Sequence, residues 1–318
     1  MNHKGKTLFI LASVTAATIH VINRVDDSHA TMKDVLNSTE NMYYEWRFGK
    51  IRYTKRGNGS PVLLIHDLNA GSSSYEFSKI IGGLSKKHEV YCIDLLGYGL
   101  SDKPNITFTN YLYVQMITDF IKTIIGRKTD IAATGNAFPL AVMTCHNDKE
   151  LVQNLVGINP QNLYQLNQIP SKQTRALSLL MEIPILGTFL YHLHTNKSSL
   201  TRSFEEEYFY NPYKVEEKDI LAYLEASHTA KHHAKHAQAS LLGRYTNTNI
   251  IHALKEINNN IYIIAGKNEN DIKNIIENYS YYNSAIEVSY IPRTKHLPQL
   301  ENPEEVINCL DMYLTDIH

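Results

Sequence analysis

Three histidines, His228, His232 and His236, recur at every fourth position, with His233 beside them. On one continuous helix this spacing puts three imidazoles on one face, and two of them could hold a divalent ion. There is no His-Glu-x-x-His motif and no obvious third ligand, so the pattern predicts a solvated helix face whose charge varies with pH, and no metal. Cys92, Cys145 and Cys309 lie far apart without Cys-x-x-Cys spacing, which predicts reduced core thiols rather than a disulfide framework or a zinc module. No G-x-x-x-x-G-K-[ST] or G-x-G-x-x-G run follows a strand-like segment, so no nucleotide, flavin or other cofactor is expected. The run Ser72, Ser73 and Ser74 stands where a helix should start, and N-capping accounts for it.

The elements that position these residues are set by composition and periodicity. The chain has 318 residues, 43% of them hydrophobic and 20% charged, which is ample for a large core and excludes disorder as the main state. Lysine and arginine number 31 against 32 acidic residues, so no charge excess points to nucleic acid. Lys4 and Lys6 precede an uncharged run from Thr7 to Ile22, short of the ~20 residues that span a bilayer upright. Residues 1–30 therefore read as a leader, either an uncleaved signal anchor or a cleaved signal peptide, with an amphipathic or buried helix as the remaining alternative. Anchored, the two lysines and the α-amine would stay cytoplasmic and the domain would lie across the membrane, which predicts a membrane-anchored or exported protein.

Strand-like runs fall at Ile51 to Lys55, Val62 to His66, Glu89 to Asp94, Asp130 to Thr134, Leu155 to Asn159, Ile261 to Ala265 and Ile286 to Ile291. Most are short and apolar throughout, as strands buried on both faces of a parallel sheet should be. Ile117, Phe120, Ile121, Ile124 and Ile125 recur at helical spacing between two of them, and a last helix spans Pro303 to Tyr313. Such alternation predicts a doubly wound α/β sheet with ligands at the carboxyl ends of its strands. Roughly a hundred residues between Asn159 and Ile261 break the rhythm, too long for an unstructured loop. Helical periodicity at Thr174 to Met181 and Asp219 to Ser227, with Tyr208, Phe209, Tyr210, Tyr213 and Tyr223, predicts a helical cap over residues 162–254. The core then comprises residues 40–161 and 255–318. An aromatic-lined cap implies a small apolar ligand or substrate, although aromatic packing in the interior explains the same residues.

Three blocks carry a resemblance: LLIHDLNAGSSSYEF from Leu63, IDLLGYGLSDKP from Ile93 and TKHLPQLENPEEV from Thr294. Each is similar to the corresponding segment of α/β-hydrolase-fold proteins, in the branch of epoxide hydrolases, haloalkane dehalogenases and carbon–carbon bond hydrolases. The likeness runs from about Gly49 to Tyr313, apart from the cap.

The resemblance implies a set of catalytic positions. The nucleophile belongs in a G-x-S-x-G turn after the strand Asp130 to Thr134. The sequence there is Gly135-Asn136-Ala137-Phe138-Pro139, so Ala137 takes the nucleophile position with a methyl group that cannot attack a carbonyl. A sharp elbow would also strain Ala137, because positive φ disfavours a residue with Cβ. Pro139 can sit in the first helical turn at little cost. His296 matches the general base. Glu269, with Asp271 as the near alternative, stands where the orienting acid is expected, and Asn159 offers no carboxylate at the other acid site. The oxyanion-hole donors would be the backbone N–H groups of Leu68 and Phe138. The usual His-Gly pair is His66-Asp67 here. Pointing inward, Asp67 would oppose a developing oxyanion; pointing outward, it would be neutral.

Three readings of function follow. The chain is a hydrolase-fold pseudoenzyme that keeps a ligand pocket, or a hydrolase or lyase that works through His296 without a serine, or an engineered Ser-to-Ala variant of an active serine hydrolase. An active form is expected to take an ester, acyl or related apolar substrate. Membrane association through the N-terminal segment is the other partner expectation.

Overall fold

The computed structural model describes residues 3–314. The Met1 α-amine and the side chains of Lys4 and Lys6, on which the anchor orientation rests, lie outside the described residues.

Eight strands form one sheet in the order β1-β2-β4-β3-β5-β6-β7-β8. They are β1 (Met42–Trp46), β2 (Gly49–Arg56), β3 (Ser60–Ile65), β4 (His88–Ile93), β5 (Thr129–Thr134), β6 (Val152–Ile158), β7 (Asn260–Gly266) and β8 (Glu287–Ile291). β2 pairs antiparallel with both β1 and β4, and every pairing from β4 across to β8 is parallel. The doubly wound α/β sheet read from the sequence is therefore present, with all seven expected strands. β1 was not anticipated: as an edge strand it buries only Trp46, so its five residues lack the continuous apolar run that marked the others.

Strand β3 explains why such runs need no polar face. Leu63 and Ile65 point into the larger core cluster on one side of the sheet, while Val62 and Leu64 point into the cluster on the other. The helix Asn110–Phe120 continues through Ile121–Ile125 in a wider turn, burying Ile117, Phe120, Ile121 and Ile125 against the first cluster. The closing helix, Pro303–Leu314, buries Val306 and Leu310 against the second. Cys92 and Cys145 are buried and all three cysteines are free thiols.

Between β6 and β7 the chain forms helices Lys172–Glu182, Leu186–Thr195, Lys197–Ser203, Glu217–His228 and Lys235–Leu242. Of the two readings of the cap aromatics, interior packing holds for three: Tyr208, Phe209 and Tyr223 pack around Phe204, with ring centroids 4.8–5.9 Å apart, and Tyr208 also lies 5.7 Å from the His296 ring, while Tyr210 and Tyr213 are exposed. The shared histidine face is corrected. Helix Glu217–His228 stops at His228, and Ala230 and Lys231 turn left-handed at φ 61° and 56° before the next helix begins. Thr229 fixes this break by donating from Oγ1 to the Gly99 carbonyl at 2.7 Å, while Lys103 donates to Thr229. His228 and His236 end up buried rather than solvated.

The N-terminal segment is one helix, His3–Ala30. Its last third docks on the cap, where Asn23 donates to the Ile185 carbonyl at 3.1 Å and Asp27 faces His192. Ile10, Leu11, Val14, Val21, Ile22 and Val25 remain exposed. Among the described residues no single helix is long and apolar enough to cross a membrane.

Candidate active site

The loop leaving β3 turns on His66, whose Nδ1 donates to the Asp67 carbonyl at 2.6 Å and whose Nε2 accepts from the Leu95 N–H at 3.0 Å. One donor and one acceptor fix a neutral ring, and burial lowers its pKa accordingly. This anchor aims the Asp67 side chain inward. Asp67 Oδ1 accepts from the N–H groups of Leu68 and Asn136, both at 2.7 Å, and from Asn136 Nδ2 at 3.1 Å. Oδ2 accepts from Asn69 Nδ2 at 2.6 Å and lies 3.0 Å from His296 Nε2. Burial would raise the Asp67 pKa, yet His296 and the two backbone donors outweigh it and hold the carboxyl below its ordinary value.

Glu76 lies on the far side of Asp67. Its carboxylate accepts from the Asp67 N–H and from the Tyr223 hydroxyl, each at 3.1 Å. Burial first, and then the Asp67 charge, push its pKa up to about 7.

The turn after β5 differs from the expected elbow. Gly135 carries the left-handed backbone, φ 54°, whereas Ala137 is helical at φ −81° and free of the expected strain. The turn has moved two residues toward the strand because glycine is the residue that tolerates it. The Phe138 N–H donates to the Gly135 carbonyl and does not serve the cleft; the Asn136 N–H takes the place expected for it. Leu68 does present its N–H there. Pro139 lies in the first turn of helix Phe138–Asn147, as expected.

His296 follows β8. Asn159 holds its loop, donating from Nδ2 to the carbonyls of Lys295 at 2.8 Å and His296 at 2.9 Å and accepting the Gly266 N–H at 2.8 Å. His296 Nδ1 lies 3.5 Å from Glu269 Oε1, so the ring sits between two carboxylates. Burial works against its charge, but Asp67 and Glu269 prevail and raise its pKa to about 10. Asp271 stands at the N-terminal boundary of helix Ile272–Tyr282 at φ 57° without a side-chain capping bond, and its carboxylate accepts from Asn274. It still lines the cleft of about 300 Å³ beside Asp67, Glu269 and His296. Amide side chains of Asn69, Asn136, Gln161, Asn162, Gln165 and Asn270 supply much of the remaining wall.

Chemically, none of the side chains at 135, 136 and 137 carries a hydroxyl or thiol. Both nitrogens of His296 face carboxylates, an arrangement that favours the protonated ring over the neutral base. Both available backbone donors are taken by Asp67 Oδ1. Glu269 faces His296 and Asp67 points inward, whereas the contacts of Asn136, of Asn159 as the clamp of the histidine loop and of Glu76 were not expected from the sequence. Asparagine after Gly135 gave no signal alone; its role depends on the inward turn of Asp67.

A model of the family described as "Alpha/beta hydrolase family" matches residues 62–308. Among curated proteins, 2-hydroxy-6-oxo-6-(2'-aminophenyl)hexa-2,4-dienoic acid hydrolase of Metapseudomonas resinovorans is 36% identical over 109 residues, 33% of this chain and 37% of that protein. Cis-3-alkyl-4-alkyloxetan-2-one decarboxylase of Shewanella oneidensis is 28% identical over 88 residues, 28% of this chain and 27% of that protein. The chain thus spans 27–37% of the length of these two curated relatives. Among solved structures, an epoxide hydrolase superposes with a TM-score of 0.71 at 18% identity, covering 87% of this chain and 99% of its own. A membrane phospholipase A superposes with a TM-score of 0.68 at 17% identity, covering 99% of this chain and 98% of its own. At these identities the likeness is one of fold.

Proposed function

The chain belongs to the alpha/beta hydrolase family, and on that premise we propose that it uses the family's cleft to bind a small polar ligand and does not perform acyl transfer through a covalent serine. The observation that carries this reading is the Asp67 carboxylate, which stands between His296 Nε2 and the N–H groups of Leu68 and Asn136. A substrate carbonyl would need those same three groups, and a fixed negative charge there opposes a developing oxyanion. The amide-rich wall and the carboxylates of Asp67, Glu269 and Asp271 favour a neutral or cationic, hydrogen-bonding ligand over an apolar ester.

The test is a fluorophosphonate and ester-hydrolysis assay, over short and medium acyl chains, of the chain as it stands and of His296→Gln. Absence of labelling and turnover is expected in both. Turnover by the unaltered chain that disappears in His296→Gln would replace this reading with catalysis by His296 lacking a serine.

The exposed apolar residues of the N-terminal helix, with Leu177, Leu179, Leu180 and Leu193 exposed on the adjoining cap helices, support a place at a lipid surface. Co-sedimentation of the full chain with phospholipid vesicles is expected; recovery in the supernatant at every lipid concentration argues against it.

A further inference from the structure

The break in the cap that separates the spaced histidines creates a different grouping. Asp27 on the N-terminal helix, His192 on helix Leu186–Thr195 and His228 at the end of helix Glu217–His228 each present a ligand atom, all within 4.8 Å of one another. The three residues are buried, with 6%, 3% and 2% of their surfaces accessible. We propose that these side chains form a two-histidine, one-carboxylate site for a divalent ion of the zinc type, and that the bound ion clasps the N-terminal helix to the cap.

Three observations carry this. Asp27 Oδ1 and His192 Nε2 lie only 3.1 Å apart, yet neither has a hydrogen-bond partner, so the pair is close without being aligned as donor and acceptor. Buried polar atoms without partners are costly, and a shared cation relieves both at once. His228 is prepared for the same role: its Nδ1 donates to the Leu224 carbonyl at 2.9 Å, which fixes the tautomer and leaves Nε2 as a lone pair. The His192 and His228 rings stand 4.5 Å apart between centroids. Ligand atoms about 2.0–2.1 Å from one zinc ion lie roughly 3.3 Å from each other, so the pair at 3.1 Å is already set and a small rotation of His228 completes the set. Entry is open, because Asp27 and His228 both line a cavity of about 620 Å³ and Asp27 also borders one of about 600 Å³. None of the three residues lines the cleft beside His296, so the ion serves docking rather than the chemistry there.

The experiment uses the full chain stripped with a chelator and dialysed against zinc, with cobalt as the spectroscopic substitute. One equivalent of zinc should bind, and cobalt should give the visible absorption of a low-coordinate nitrogen and oxygen site. Asp27→Asn, His192→Gln and His228→Gln should each weaken zinc binding about 100-fold or more, since even outer-shell partners of a metal site change affinity by about 10–100-fold. His252→Gln, in the surface group His146, His252 and Glu256, should leave binding unchanged. Fluorescence of Trp46, the chain's single tryptophan, checks that each variant is folded. Failure of the unaltered chain to take up zinc overturns the proposal without recourse to variants. So does uptake that survives His192→Gln and His228→Gln but disappears in His252→Gln.

Discussion

Asp67 occupies the space that a side chain on residue 135 would need: a Cβ at Gly135 would stand 2.5 Å from Asp67 Cγ and 2.6 Å from each carboxylate oxygen. Gly135 is also left-handed at φ 54°, so two independent constraints fall on one position. The aspartate from the β3 loop and the glycine after β5 are thus a matched pair. The first can reach the backbone donors of the turn only because the second has no side chain.

Gly135→Ala should therefore destabilise the fold by about 2–4 kcal/mol, combining left-handed strain with overpacking. Asp67→Gly in the same chain should return about 1–2 kcal/mol of it, leaving the backbone part. Urea denaturation of the four members of the cycle, followed by Trp46 fluorescence, measures the coupling. Strict additivity would mean that the carboxylate is not the obstacle.

Ala137→Ser should fold normally and still resist a fluorophosphonate. The residue is fully buried at φ −81°, and His296 stays committed to Asp67 and Glu269. Stoichiometric labelling of Ser at 137 would show that the turn can relocate and that the site is silenced by one atom alone.

The pH dependence of stability follows from the signs of two shifts. His296 is raised to about 10, so its ion-pair contribution is complete below its ordinary value near 6.5 and is lost as pH rises through about 10. Asp67 is depressed, so its contribution is complete above its ordinary value near 3.9 and is lost as pH falls through its lower folded value. The stability difference between the unaltered chain and His296→Gln should shrink by on the order of 2–3 kcal/mol from pH 7 to pH 10.5. A difference that stays flat over that range would mean His296 is not held as an imidazolium.

Asn159→Ala should cost about 2–4 kcal/mol, because it removes donors to two carbonyls and the acceptor for Gly266 in a buried setting, and places alanine at φ 43°. Asn159→Asp, which keeps the acceptor and loses the donors, should fall between the two. Equal stability of all three chains would deny Asn159 its place as clamp of the His296 loop.

Gly99→Ala should be among the most damaging changes, by about 3 kcal/mol or more. At φ 48° its Cβ would fall 2.3 Å from Asp94 Cγ, inside the buried carboxylate that accepts the N–H groups of Ser74 and Leu100. Retention of the unaltered urea midpoint would show that this loop can move aside.

The sheet was readable from the amino-acid sequence alone. Continuous apolar runs mark strands buried on both faces, because a parallel sheet covered by helices leaves no polar face to interrupt them, and β3 illustrates this from Val62 to Ile65. His296 and Glu269 were legible only through the resemblance of their blocks to the hydrolase family, and the fold brings the two side chains within 3.5 Å. The edge strand β1, half exposed, carried no such signal. The direction of buried side chains came from the fold alone. Whether Asp67 points in or out depends on His66 pinning its carbonyl and on Gly135 vacating space 68 residues away, neither of which has a periodicity to read. The histidines of the cap make the same point. Four-residue spacing puts them on one face only while the helix continues, and the left-handed pair Ala230 and Lys231 ends it, leaving His228 beside His192 with ring centroids 4.5 Å apart. Period and order are local properties of a chain, whereas the orientation of a buried polar side chain is set by whichever distant groups satisfy it.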